Sequence, residues 1–339
     1  MKFTKSRGVK NPGVKISGTG SYLPGKPVFN KELIERFSLN TTDEWIQQNL
    51  GIIKRHFAET GVGASILGFE AAKIAIKNAK ITPKDLDRIL FCSSTSDWTS
   101  PAAACNVQAL LNADCPSEDK QTACSSFIYG LDHGARLIAT GLKNVLVIGS
   151  DVKSHFTRPD DYRLLPIFAD GAGAVILSSC EKDKGLLLCE LWSDGTKINN
   201  LLTPAGGSAM PASIETVTNH LHSVQMNVEG RVIFNDAVEA MTELSKQVCS
   251  ELGYSAQEID LFIPHQANLG ILKQVASNLN IPLEKTVITI QDTANIVSGT
   301  LPYSMDYAYR TNRIQSGMLI LMVTAGAGYS AGAALYREI

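Results

Sequence analysis

Helix-like and strand-like hydrophobic patterns follow one another along this chain in an order that repeats. A stretch with helical spacing, GFEAAKIAIKNAK, leads through an acidic turn, ITPKDLD, into an apolar run, RILFCSST, over residues 68–95. AMTELSKQVCSELG, YSAQEID and LFIPHQ restate the same sequence of patterns over residues 240–266. Each is followed by a further apolar strand, KNVLVIGSD (143–151) after a helix closed by Gly141, and GMLILMVTAGAG (317–328). Two copies of one α/β unit account for this. Val145 to Ile148 and Leu319 to Val323 are continuously apolar rather than alternating, as a sheet covered by helices on both faces requires. The pattern predicts a layered α/β architecture with halves at 1–190 and 191–339. Residues 190–240, rich in Gly, Ser, Thr and Asn, are predicted as strands and loops. No Pro/Gly/Ser-rich linker separates the halves, so they are expected to form one rigid body.

Composition narrows the function more than the fold. With 339 residues, 44% hydrophobic and 19% charged, the chain has enough apolar material for a large core. A net charge of -2 gives no overall field for nucleic acid or an anionic membrane. Lys2, Lys5, Arg7, Lys10 and Lys15 form a basic cluster read as a solvated tail. The seven cysteines are odd in number, scattered and free of any C-x-x-C pair, which points to reduced thiols in a cytoplasm. Every apolar run is broken well short of the roughly 20 residues of a membrane helix. A metal site is not expected: His220 and His222 in NHLHS are read as a solvated pair on a strand-like face, without a Cys or carboxylate cluster.

Three residues carry candidate chemistry. Cys124 lies where the polar approach DKQTACSS changes into a helical pattern with Phe127, Leu131, Ala135 and Ile138 on one face. A thiol at such a corner meets unpaired N–H groups and the positive end of a helix dipole, which favour thiolate; a buried structural cysteine is the alternative. His265 ends the strand LFIP, where α/β sheets present ligand-binding groups. Asn295 sits in the loop QDTANIVSGTLP, in a place where a turn or cap role is also open. Together they offer a nucleophile, a proton-handling imidazole and a neutral amide donor. That set suits a thioester: Cys124 attacks, and backbone N–H groups of Cys124 and of the turn Gly326-Ala327-Gly328 hold the oxyanion, with Ala327 the second donor. His265 and Asn295 then stabilise the enolate formed when a malonyl-type thioester loses carbon dioxide. A papain-like peptidase also runs Cys, His, Asn, but its Cys segment stands near the N-terminus of a secreted chain.

GTGSYLPGKPVFN (18–30), TTDEWIQQNLGI (41–52), TACSSFIYGL (122–131), FADGAGAVIL (168–177), PHQANL (264–269) and GAGYSAGAALYR (326–337) stand in one order. In them the chain resembles the β-ketoacyl-[acyl-carrier-protein] synthase III family over nearly its whole length. The resemblance implies a thiolase-like five-layered α-β-α-β-α fold, a homodimer, and catalysis by Cys124, His265 and Asn295. It also implies acyl-coenzyme A or acyl-carrier-protein thioesters as substrates, with no further cofactor, and Trp45, Ser100, Tyr162 and Asn268 as substrate contacts.

Departures from the family pattern bear on the substrate. Arginines usual after the DEW tryptophan, after the Asp preceding the DGAGA strand, and within HQANxRI are here Asn49, Tyr162 (with Arg163 next) and Gly270. Near Ser100 the family's fatty-acid enzyme carries a phenylalanine that narrows the partner's acyl pocket, so a longer or unusual primer is expected. Three activities stay open at this level: a decarboxylating condensation, acyl transfer to an alcohol or amine, and a non-catalytic ketosynthase partner. A hydroxymethylglutaryl-type synthase is disfavoured, because the Glu which that group uses as general acid has no evident counterpart in SSTSDWTS (93–100).

Overall fold

The computed structural model describes residues 8–182 and 184–339. Lys2, Lys5 and Arg7 of the basic cluster lie outside them. Nine strands form one mixed sheet: β1 (Val14–Tyr22), β2 (Arg88–Cys92), β3 (Ser117–Lys120), β4 (Asn144–Val152), β5 (Asp170–Ser179), β6 (Gly185–Ser193), β7 (Leu261–Pro264), β8 (Leu319–Gly326) and β9 (Ser330–Arg337). Their order is β7-β8-β9-β6-β1-β5-β4-β2-β3.

The internal repeat is visible in the pairing. β2 runs parallel to β4, which pairs antiparallel with β5, which pairs antiparallel with β1. β7 runs parallel to β8, which pairs antiparallel with β9, which pairs antiparallel with β6. The two sets meet through a single pair, Val14 with Gly185, between β1 and β6. Residue 190 falls inside β6, whose hydrogen bonds run along β9.

Helices cover both faces of each set. Those at Ala64–Asn78 and Ala103–Leu111 pack outside the first, and those at Gly230–Glu251 and Leu269–Asn278 outside the second. Between the sets lie the helices Ser126–Ala139 and Thr300–Arg310, in a core that joins Val145 and Val175 to Ile263 and Ile320. The result is the five-layered α-β-α-β-α arrangement. Phe127, Leu131, Ala135 and Ile138 are all buried, so the apolar stripe read from the sequence is the face that fills the central layer.

Two expectations need correction. Residues 230–240 are helical, not strand and loop, and a short helix, Ile214–Thr218, precedes them. Gly230 and Asn235 are poor helix formers, but Ala237, Val238, Ala240 and Met241 bury one side of the helix against β8 and β9, and that packing overrides propensity. The NHLHS segment is a turn rather than a strand; Thr216 Oγ1 lies 3.0 Å from His222 Nε2.

DGAGA opens β5. A side chain at Gly173 would stand 2.4 Å from the Tyr303 amide nitrogen, so the glycine lets the helix Thr300–Arg310 lie directly on the strand. Asp170 at its start accepts from Ala58 N at 2.8 Å, Ser154 N at 2.8 Å and Ser154 Oγ at 2.5 Å.

Candidate active site

Cys124 occupies a one-turn 3-10 segment, Ala123–Ser125, that feeds the central helix Ser126–Ala139. The corner is tight: Ala123 has φ 50°, a left-handed conformation uncommon for a residue with a side chain. Ser126 Oγ donates to the Ala123 carbonyl at 2.7 Å and accepts from Thr122 N at 2.8 Å. Ser125 Oγ donates to the Ser330 carbonyl at 2.9 Å, tying the corner to β9. Gly326 closes over it, and a Cβ there would lie 2.8 Å from Cys124 N, so only glycine allows this approach. The chain thus brings Ala327 and the Cys124 backbone to one cavity wall.

His265 follows β7 directly and is buried, its N–H donating to the Val323 carbonyl of β8 at 2.8 Å. Its Nδ1 lies 2.5 Å from Thr300 Oγ1, and the Thr300 hydroxyl can also donate to the Val297 carbonyl at 3.0 Å. The hydroxyl sets the tautomer. When it donates to Nδ1, the proton sits on Nε2; when it donates to Val297, Nδ1 carries the proton and Nε2 is a bare acceptor. Either way Nε2, buried and without a hydrogen-bond partner among the described residues, is the atom left for a ligand. Burial pushes the imidazole down to about 3, so the ring is neutral across the ordinary pH range.

Asn295 is held by its backbone and by its own carbonyl group. Its N–H donates to the Ile167 carbonyl at 2.9 Å, and its carbonyl accepts from Ala169 N at 3.0 Å. Oδ1 accepts from Val297 N at 2.8 Å, which fixes the amide orientation and leaves the Nδ2 donors for the cavity. Two residues outside the expected set hold this loop in place. Gln266 Nε2 donates to the Pro264 and Val287 carbonyls at 2.8 and 3.1 Å, while Oε1 accepts from Thr289 N and Ile290 N at 2.9 and 3.1 Å. The His265 strand is thereby locked to the segment leading into Asn295. Asp151 Oδ2 accepts from Ser298 N at 3.0 Å and Ser298 Oγ at 2.5 Å, and Oδ1 accepts from Ser94 N, Ser94 Oγ and Thr95 Oγ1, each at 2.8 Å. Thr300, Gln266 and Asp151 give no sequence signal apart from the neighbours they serve.

One cavity of about 610 Å³, mostly apolar, contains Cys124, His265, Asn295, Ala327, Trp45 and Asn268 in its wall. Trp45 is 43% exposed at its edge. Asn268 is committed to the fold: Oδ1 caps a helix by accepting from Gly270 N at 2.7 Å, and Nδ2 donates to the Asn49 carbonyl at 3.1 Å. Ser100 and Tyr162 are exposed and do not line it. Arg163 does, in place of its neighbour Tyr162, and Arg231 joins it, so the rim is cationic despite the missing family arginines.

The thiol departs from the thiolate expectation. Burial pushes Cys124 up to about 12, Asp151 adds to the rise, and Lys153 opposes it. A helix N-terminus contributes about 0.3–2 kcal/mol, roughly one pKa unit, so desolvation wins at this thiol. Alkylation of Cys124 by iodoacetamide, followed by peptide-resolved mass spectrometry to separate it from exposed Cys105, is expected to rise about tenfold per pH unit from pH 7 to 10. A plateau below pH 8 would show the helix terminus prevailing.

The comparisons with known proteins agree with one another. Residues 119–195 match the family model described as 3-oxoacyl-[acyl-carrier-protein] synthase III, and residues 249–338 match its C-terminal counterpart. The β-ketoacyl-[acyl-carrier-protein] synthase III of Syntrophomonas wolfei is 37% identical over 96% of this chain and 97% of its own length. The crystal structure of 3-oxoacyl-[acyl-carrier-protein] synthase III from Aquifex aeolicus, 34% identical, superposes with a TM-score of 0.87 over 96% of this chain and 100% of its own. The priming β-ketosynthase of the R1128 polyketide biosynthetic pathway, 25% identical, does so with 0.87 over 100% and 98%. With identity of that extent along almost its full length, and a Cys, a His and an Asn gathered in one cavity, the chain belongs to the 3-oxoacyl-[acyl-carrier-protein] synthase III family.

Proposed function

We propose that this chain is a β-ketoacyl synthase that loads an acyl primer onto Cys124 and condenses it with a malonyl-type thioester. The observation that carries the reading is that Cys124, the unpartnered His265 Nε2 and the Asn295 amide share one apolar cavity. In the first half-reaction Cys124 Sγ bonds to the acyl carbon, and the carbon–sulfur bond to the donor breaks. The thiol proton passes to neutral His265 and on to the departing thiolate. The Cys124 and Ala327 N–H groups hold the oxyanion.

In the second half-reaction the malonyl-type thioester loses carbon dioxide, and the electron pair of the broken carbon–carbon bond forms an enolate. His265 Nε2–H, in the tautomer in which Thr300 donates to Nδ1, and Asn295 Nδ2 donate to its oxygen. The enolate carbon attacks the acyl carbon and Cys124 departs. Neutral donors suit this step, because a charged partner in an apolar cavity carries a desolvation penalty. Trp45, Arg163 and Arg231 at the rim are placed to meet the nucleotide and phosphate portion of a coenzyme A donor or an acidic carrier protein. The enzyme is read as a cytoplasmic homodimer in which each protomer presents its exposed Ser100, in place of a large aromatic, to the other's acyl pocket, so that a primer longer than acetyl is accepted. Among the described residues no helix is long and apolar enough to cross a membrane.

Incubation with acyl-coenzyme A and carboxyl-labelled malonyl-[acyl-carrier-protein] tests the reading. Expected are a mass gain on Cys124 and release of one carbon dioxide per product. Acylation without carbon dioxide release in the presence of alcohols or amines would support simple acyl transfer instead; neither would leave a non-catalytic partner.

A further inference from the structure

Lys153 is a buried cation that the proposed chemistry does not use. It follows β4 in GSDVKSHF, opens a short 3-10 segment, and retains only 9% of its accessible surface. Its Nζ stands 5.8 Å from the centroid of the Phe168 ring, near the outer limit of about 6 Å for a cation–π contact. Phe168 lines the cavity that holds Cys124. It belongs to a small apolar cluster with Leu164, Val224 and Val297 that packs beside Cys124. Lys153 itself is not among the residues lining that cavity, so an acyl group on Cys124 approaches the ammonium by way of Phe168.

The obvious counter-ion is already occupied. Asp151, two residues away, spends both oxygens on Ser94, Thr95 and Ser298. Among the described residues no carboxylate forms an ion pair with Lys153, and no acceptor takes a hydrogen bond from its Nζ. An unpaired buried ammonium is costly, and burial lowers its pKa while Asp151 and Cys124 raise it. A structural role would place a partner there; a binding role leaves the partner to arrive with the ligand.

We propose that Lys153 receives the anionic far end of the acyl primer, so that the preferred donors are half-thioesters of short dicarboxylic acids. This rests on the reading of Cys124 as the acylated residue. The carboxylate takes the N–H donors of Nζ while the methylene chain lies on Phe168 and its apolar neighbours. Asp151 repels that carboxylate but stays sheltered by its own donors, so Lys153 dominates at the end of the chain.

Intact-protein mass spectrometry would compare acylation rates for pairs matched in carbon number: succinyl- against butyryl-, glutaryl- against pentanoyl-, and adipyl- against hexanoyl-coenzyme A. Wild type is expected to favour the carboxylate-ended donor of at least one pair by about tenfold or more. Lys153→Met, which keeps the length without the charge, should reverse that preference, and Lys153→Arg should keep its direction. A wild type that favours the methyl end in every pair, or a ratio unchanged in Lys153→Met, overturns the assignment. Acetyl-coenzyme A serves as a parallel donor. Loading of acetyl but of no dicarboxylate by wild type overturns the role of Lys153 alone, whereas failure to load any donor overturns the acyl-enzyme and this inference with it.

Discussion

Cys124→Ala is expected to abolish acyl-enzyme formation and to lower condensation by about 10⁴-fold or more, since removing a nucleophile forfeits the covalent route itself. The fold should survive. An alanine fits wherever the Cys124 Cβ fits, and the corner is held by Ser125, Ser126 and Ser330 rather than by the sulfur. The variant should therefore melt within a few degrees of wild type while showing no mass gain with any thioester. Because Sγ is the atom carrying the raised pKa, the substitution should also remove the steep pH dependence of alkylation at this site. Among the remaining cysteines, Cys92, Cys189 and Cys249 are buried. A variant that still gained acyl mass would move the nucleophile to another residue and sink the proposed mechanism at its first step.

The difference between what was legible in the sequence and what was not follows the range of the interactions involved. The strands around Val145, Leu261 and Leu319 announce themselves because burial on both faces leaves a continuous apolar run. The corner at Cys124 is likewise a local event, a polar approach giving way to a helical stripe. The helix beginning at Gly230 is not legible in the sequence because its stability comes from packing on β8 and β9, which a window of ten residues does not contain. Thr300, Gln266 and Asp151 were missed for a related reason. Each acts by a hydrogen bond to a segment distant in the chain, as in the 147-residue separation between Asp151 and Ser298. The expectation for Asn268 and Tyr162 rests on likeness to a motif. Hydrogen bonding assigns the first to a helix cap, and position puts the second outside the cavity, with Arg163 at the rim instead.

Asn295→Ala is expected to separate the two half-reactions, cutting condensation by about 10²–10³-fold, the range found on removing one oxyanion donor, while Cys124 still acquires its acyl mass. The amide's orientation separates the two steps. Oδ1 is held by Val297 N at 2.8 Å, so the Nδ2 donors are left for the cavity and for the enolate oxygen that forms there. Asn295→Asp sharpens the test. It keeps the acceptor for Val297 N, and so the loop, but replaces the donor with an oxygen whose charge, if present, repels the enolate. Condensation in the Asp variant should thus fall at least as far as in the Ala variant, with carbon dioxide release and product formation lost together and acylation spared. If Asn295→Asp instead condensed at near the wild-type rate, the amide would be a loop brace, and His265 alone would have to carry the enolate.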